Sequence, residues 1–213
     1  MKRNWRNLTA AVLSVVLGCV LFYFGTDGFR AFTAESARTY KLLQNQPEFP
    51  NVTLEDSKGR VYPFSDFEGK YVMLTFIYTA CSDICPKIET NLAEVYKQIP
   101  SKYLDKDIVF LSISFDPDRD DPATLEKYRS YFGSDGDTWR MARITKEEEL
   151  NGLLNEFGVT VIPDGEGGFT HNAAFYLVGK DGSLKEVMDF TKISEAASSV
   201  TALLENEAEV VLK

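Results

Sequence analysis

Residues 7–26 carry no charged side chain, and within them residues 8–24, LTAAVLSVVLGCVLFYF, are almost wholly apolar. As a helix, twenty such residues span about 30 Å, the thickness of the hydrocarbon core of a bilayer. Lys2, Arg3 and Arg6 precede the run. Positive charge is retained on the cytoplasmic side, so the sequence predicts an N-terminus in the cytoplasm and everything after the run outside it. No small-residue cleavage site follows, and the run is long for the core of a cleaved signal peptide. An uncleaved, single-pass signal anchor is the first reading. A lipoprotein signal is the alternative, with Val16-Leu17-Gly18-Cys19 as a loose lipobox, although the apolar run continues past the cysteine through Val20-Leu21-Phe22-Tyr23-Phe24. The absence of an Arg- and Ser-rich transit segment favours a bacterial cytoplasmic membrane over an organelle, with the domain on the periplasmic side.

The chain thus divides into a cytoplasmic N-terminus (1–7), a transmembrane anchor (8–26), a tether (27–48) that is weakly helical around 32–43, and a domain over 49–213. With 44% hydrophobic and 13% aromatic residues, the chain can build a core, so wholesale disorder is excluded. The formal net charge is −9; without the three cations of the first 26 residues the remainder carries −12. A nucleic-acid binder needs the opposite balance.

Within the domain, 52–54 and 61–62 flank the turn Ser57-Lys58-Gly59 and predict a hairpin. Residues 72–78 and 108–113 are continuous β-prone runs, as expected of strands buried on both faces. Between them, Pro86 opens a helix to about Ile99 with the stripe Ile88, Leu92, Val95 and Ile99. Further helices are expected over 125–132 and from Thr145, where Thr145-Lys146-Glu147-Glu148 reads as a capping box, to about Phe157. A short strand falls at 139–144. A second hairpin pairs 174–178 with 184–190 across Lys180-Asp181-Gly182, and a last helix covers about 194–208. Strands alternating with helices and ending in an antiparallel hairpin predict an α/β, thioredoxin-like fold, a central mixed sheet flanked by helices.

The domain holds two cysteines and one histidine; the third cysteine, Cys19, lies in the apolar run. Cys81 and Cys85 sit between a buried strand and a helix start, where backbone N–H groups and the helix dipole favour thiolate. Spacing alone leaves open a redox pair, a metal site and a structural disulfide, although a bridge over so short a loop constrains the unfolded chain little. His171 lies in the glycine-rich segment Gly167-Gly168-Phe169-Thr170-His171-Asn172, read as a flexible loop. In a thioredoxin-like sheet that loop packs beside the cysteine loop. Two thiolates suit Cu(I), and an added imidazole supports Cu(II), whereas structural zinc would want a fourth ligand.

Phe76-Ile77-Tyr78-Thr79-Ala80-Cys81-Ser82-Asp83-Ile84-Cys85-Pro86 resembles the strand–CxxxCP signature of the Sco/SenC family. Ser114-Phe115-Asp116-Pro117-Asp118-Arg119-Asp120-Asp121-Pro122 is similar to its second motif, and His171 falls where the family's copper-binding histidine lies. The resemblance covers roughly residues 45–205. It implies a thioredoxin-like fold, a membrane tether, and one copper ion held by Cys81, Cys85 and His171. It also implies assembly of the dinuclear CuA centre of cytochrome c oxidase, by copper delivery to the CuA-bearing subunit or by reduction of that subunit's cysteines. A further copper chaperone would be the donor. Asp116 resembles the family's acidic residue near the site, and Asp83 could assist at the helix N-terminus; an Asp-Pro turn and a plain N-terminal charge are the structural alternatives. Ser82 stands where the family often has proline, and Thr170 where it commonly has aspartate. Without that carboxylate the imidazole should be less firmly oriented and less basic. A metallochaperone, a thiol–disulfide oxidoreductase using Cys81 and Cys85, and a copper or redox sensor are the three classes these features allow.

Overall fold

The structure, a computed structural model, describes residues 2–26 and 33–211. It divides into two compact units, residues 1–45 and 46–213. The first unit contains helix α1, Lys2–Gly25, and helix α2, Ala34–Asn45. Within α1, Asn7–Gly25 is long and apolar enough to cross a membrane. The first residues, expected to be a separate cytoplasmic segment, continue this helix from Lys2 onward; Met1 lies outside the described residues. The tether is more helical than expected. Thr33 and Ser36 exchange side-chain and backbone hydrogen bonds at 2.9–3.0 Å, a reciprocal cap for α2. The helix stops where Gln46 turns into the left-handed region (φ 43°) ahead of Pro47. The part of the tether over 27–32 lies outside the described residues.

The second unit begins three residues earlier than the expected boundary. It is built on a seven-stranded sheet in the order β2-β1-β5-β4-β3-β8-β9. The strands are β1 (Thr53–Asp56), β2 (Val61–Pro63), β3 (Tyr71–Ile77), β4 (Ile108–Ser114), β5 (Trp139–Arg143), β8 (Phe175–Val178) and β9 (Leu184–Met188). The central strands β3, β4 and β5 are parallel, and the hairpins β1–β2 and β8–β9 close the two sides in antiparallel pairing. All seven residues of β3 and all seven of β4 are buried, which is why both segments read as unbroken apolar runs.

The crossovers are helices α3 (Ile84–Gln98) and α4 (Pro122–Ser130); α5 (Glu147–Glu156) and α6 (Ile193–Val211) complete the layers. Helix α3 starts two residues earlier than its proline suggested, so Cys85 lies in its first turn. Its inward face is Cys85, Ile88, Glu89, Leu92 and Val95, all buried. Helix α4 opens on Asp121, whose carboxylate accepts from the Thr124 N–H at 2.7 Å, with Pro122 behind it.

The expected capping box at Thr145 does not form. Lys146 occupies the N-cap and gives no side-chain cap, and its ammonium pairs instead with Glu149 at 2.6 Å. Glu149 also accepts the Thr53 N–H at 2.7 Å, fastening the helix start to β1. Three glutamates in the first turn meet the positive end of the helix dipole in place of the box. Absent from the sequence reading are a short 3-10 helix, Phe64–Phe67, and a separate two-stranded ribbon of β6 (Val161–Pro163) and β7 (Phe169–His171).

Candidate metal centre

Parallel strands present their C-terminal ends, and the loops beyond them, to one side of the sheet, where α/β folds place their chemistry. Strand β3 ends at Ile77, and the next residues turn sharply into α3. Asp120, itself fully buried, holds the start of this loop: its carboxylate accepts from the Thr79 N–H at 3.0 Å and the Thr79 hydroxyl at 2.5 Å. The Cys81 N–H donates back to the Tyr78 carbonyl at 3.3 Å, and the Cys85 N–H points at Cys81 Sγ from 3.2 Å.

Both cysteines are buried, free thiols with unlike environments. Burial works against ionisation of Cys81. The Cys85 thiol and the backbone N–H groups of Cys85, Asp83 and Ile84 outweigh it, so Cys81 titrates below the ordinary thiol value. Cys85 is pushed well above that value, first by burial and then by its hydrogen bond to Cys81. The helix N-terminus therefore favours ionisation of Cys81, while burial and the hydrogen bond to Cys81 favour the protonated form of Cys85.

His171 arrives from the ribbon, not from a flexible loop. The turn joining its strands is closed by Asp164, whose carboxylate accepts from the N–H groups of Glu166 (2.8 Å) and Gly168 (2.9 Å). Gly167 takes a φ of 92°, and a Cβ on Gly168 would run into the Asp164 carboxylate, so the glycines belong to the turn geometry. Val161 is paired with His171 across the ribbon. Tyr78, the last residue before the cysteine loop, locks the ribbon in place: its hydroxyl accepts from the Phe169 N–H at 3.1 Å and reaches the Phe169 carbonyl at 3.3 Å.

The result brings His171 Nε2 to 3.4 Å from Cys85 Sγ. Nδ1 lies 3.0 Å from the Asn172 carbonyl oxygen. A carbonyl can only accept, so Nδ1 carries the proton and Nε2 presents its lone pair to the sulfur. Burial lowers the imidazole pKa, against the opposing hydrogen bond to Asn172, which keeps the ring neutral at neutral pH. Phe115 packs edge-on to the ring at 4.9 Å between centroids. The Asn172 amide is braced in turn, accepting the Thr160 N–H at 2.7 Å. The orientation expected to weaken without a carboxylate before the histidine is thus supplied by a backbone carbonyl.

Two acidic candidates stand apart from this cluster. Asp83 is the N-cap of α3 but gives no cap hydrogen bond; its exposed carboxylate pairs with Lys87 at 2.5 Å. Asp116 is buried, and its carboxylate pairs with Arg119. Burial raises its pKa, with Arg119 pulling the other way. Among the described contacts neither carboxylate reaches Cys81, Cys85 or His171. Sequence reasoning gave no part to Tyr78, Arg119, Asp120 or Asn172; all four lay in the quoted segments, and long-range hydrogen bonds set the first three apart, a carbonyl turned to the neighbouring imidazole the last.

Among the described residues no three His, Cys, Asp or Glu side chains are already gathered around one point. Cys85 and His171 face each other, while Cys81 Sγ is turned to the helix amides. The donor chemistry still fits a soft ion: two sulfurs at a helix N-terminus and a neutral imidazole with a free nitrogen lone pair. A thioredoxin-like sheet with a thiol pair after its first central strand, joined by an imidazole from an added ribbon, defines the class of thiol-based metal or redox domains.

Within that class the chain belongs to the SCO1/SenC family, whose sequence model matches residues 42–205. It is 32% identical over 144 residues to the SCO1 protein homolog of Bacillus subtilis, covering 67% of this chain and 68% of that protein. The structure of Bradyrhizobium japonicum ScoI with copper bound superposes with a TM-score of 0.61 at 25% identity, over 73% of this chain and 98% of the other. A SCO1/SenC family lipoprotein from Bacillus anthracis gives a TM-score of 0.67 at 23% identity, over 75% and 96%. The expected fold is confirmed by these likenesses.

Proposed function

We propose that Cys81, Cys85 and His171 hold one copper ion as cargo, and that the chain delivers it to the CuA-bearing subunit of cytochrome c oxidase. The observation that carries this reading is the approach of His171 Nε2 to Cys85 Sγ at 3.4 Å with Nδ1 tied to a carbonyl. A neutral, pre-oriented imidazole beside a thiol is a ligand arrangement; disulfide exchange needs no such group. Two thiolates suit Cu(I) and the imidazole extends the set to Cu(II), so this donor set accommodates both oxidation states. Release is then an exchange of ligands with the recipient's own thiols. The apolar helix Asn7–Gly25 is long enough to tether the domain in the bacterial cytoplasmic membrane, with residues 46–213 on the periplasmic side and a second copper chaperone as donor. Membership in a family that includes copper-bound ScoI supports the cargo.

Copper titration of the reduced full chain in detergent, followed by absorption and EPR, tests the proposal. One equivalent of Cu(II) should bind with thiolate-to-copper charge transfer that vanishes in Cys81→Ser. Failure to bind either Cu(I) or Cu(II) stoichiometrically would refute it.

A second reading rests on the unlike thiols. Cys81, ionised more readily, is the natural nucleophile, and protonated Cys85 the resolving group, of a thiol–disulfide oxidoreductase that keeps the oxidase's copper-ligand cysteines reduced. Catalytic, rather than stoichiometric, reduction of a disulfide by the copper-free chain would select it.

A further inference from the structure

The two halves of the candidate centre belong to different parts of the fold. The thiols sit on the β3–α3 junction of the main sheet, and the imidazole on a ribbon that shares no strand pairing with that sheet. Something must set the distance between them. The segment 116–121, between β4 and α4, touches both. Asp120 reaches inward, accepting from Thr79 as described and from the Ser114 hydroxyl at 2.5 Å. It is a fully buried carboxylate satisfied by three donors, two of which belong to the first residue of the cysteine loop. The neighbouring Arg119 reaches the other way. Its guanidinium donates to the Gly167 carbonyl in the ribbon turn at 2.5 Å and lies over the rings of Tyr78 (5.9 Å) and Phe169 (5.5 Å). The Asp116 carboxylate, paired with Arg119, fixes the direction of that side chain. Two consecutive residues of one short turn thus grip the cysteine loop and the histidine ribbon.

We infer that the turn 116–121 is the gauge that sets the separation of the cysteine pair from His171, with Asp120 positioning the sulfur side and Arg119 the imidazole side. The inference deepens the copper reading and rests on it. Removing the Arg119 guanidinium releases the turn end of the ribbon, which the Tyr78 hydroxyl then holds alone, and leaves the sulfurs where they are. Loosening Asp120 displaces the cysteine loop itself.

The test uses the full chain in detergent micelles and two readouts. The first is affinity for Cu(I) and, separately, for Cu(II), each added as the ion alone. The second is the imidazole NMR signal of the copper-free reduced chain, unambiguous because the sequence has a single histidine. Arg119→Met should lower Cu(II) affinity by about tenfold or more, the range seen when a partner orienting a ligand is removed, and leave Cu(I) affinity within about threefold. In the same variant the His171 signal should no longer respond to Cys85→Ser, a response the native chain should show. Asp120→Asn should weaken Cu(I) binding as well. Thr79→Val, which removes one of the donors without touching the buried carboxylate, should do so to a smaller degree, with Thr79→Ser restoring native behaviour. Unchanged Cu(II) affinity and an unchanged imidazole response in Arg119→Met would overturn the inference, as would equal losses of Cu(I) and Cu(II) binding in that variant. Failure of the native chain to bind copper would refute the copper reading alone, because the imidazole response is measured without metal.

Discussion

Glu89 offers the sharpest quantitative test of the packing beneath the thiols. It lies one turn after Cys85 on the same buried face of α3, fully enclosed, with Oε2 accepting the Ser112 hydroxyl at 3.1 Å. Ser112 in turn accepts the Trp139 indole N–H at 3.1 Å. Oε1 makes no hydrogen bond among the described residues, and neither does the buried Tyr128 hydroxyl. Burial, with the Ser112 bond opposing it, pushes the Glu89 carboxyl up from 4.5 to about 8. A group whose pKa rises on folding holds its proton more tightly in the folded chain. Its contribution to stability is complete below pH 4.5 and is lost as the pH climbs through about 8. At roughly 1.4 kcal/mol per pH unit, that interval corresponds to a loss of about 5 kcal/mol, a large part of the 5–15 kcal/mol that holds a domain together. Between pH 5 and pH 8.5 about 4 kcal/mol of this is lost, so for a domain of this size the unfolding midpoint should fall by about 8–15 °C. His171, its pKa lowered by burial, contributes with the opposite sign, so the informative quantity is the difference from Glu89→Gln, which keeps the shape and an acceptor but cannot ionise. Thermal melts of the reduced, copper-free chain across that range should show the fall in the native protein and, in Glu89→Gln, no fall but the slight rise with pH that the lowered His171 pKa leaves behind. Parallel profiles in the two proteins would refute the assignment of a buried, protonated Glu89.

Three further outcomes follow from the geometry. His171→Ala removes a proposed ligand and should weaken Cu(II) binding by more than the roughly 10–100-fold typical of losing an outer partner, while Cys81–Cys85 disulfide formation by thiol quantitation persists. Native Cu(II) affinity in that variant would exclude the three-ligand site. Gly168→Ala forces the Asp164 carboxylate off the Glu166 and Gly168 amides and should lower Cu(II) affinity more than Cu(I) affinity in the same titrations. Leu92→Ala opens a hole in the fully buried face of α3 and should cost about 2–5 kcal/mol in denaturant unfolding.

The sheet was legible because its central strands are buried on both faces and so leave uninterrupted apolar runs, and the hairpins because their turns carry glycine at the residues that need it, Gly59 and Gly182, at φ 72° and 79°. The ribbon was not. Each of its strands has only three residues, one ends in proline, and the joining turn is glycine-rich, a composition indistinguishable from loop at the level of periodicity. The cysteine pair and His171 announced themselves by chemistry. Glu89 had a legible signal of another kind: positions 85, 88, 89 and 92 form an inward-facing helical set, and a carboxylate among them must be buried. Arg119 and Asp120 stood in the second motif, but their roles were not legible, since their decisive partners lie 48 and 41 residues away in the chain.

The division of the centre between a sheet and a ribbon gives the copper reading its mechanism. The sulfurs are carried by the junction of a fully buried strand with a helix whose inward face is buried. The imidazole is carried by a two-stranded element fastened through the Tyr78 hydroxyl and the Arg119 guanidinium. Both fastenings can be surrendered without breaking any pairing in the seven-stranded sheet. On the proposed ligand set, affinity for Cu(I), which two thiolates satisfy, would depend on the sheet half, and affinity for Cu(II) on how firmly the ribbon is held. A recipient that displaces the ribbon would lower the chain's hold on Cu(II) first and leave the ion on two sulfurs, from which a thiol-bearing acceptor can take it by exchange. A plain disulfide reductase could use the imidazole 3.4 Å from Cys85 Sγ as a base for its resolving thiol, but it has no use for a ribbon whose release changes the number of ligands, so loss of Cu(II) affinity without loss of disulfide formation in His171→Ala separates the two readings.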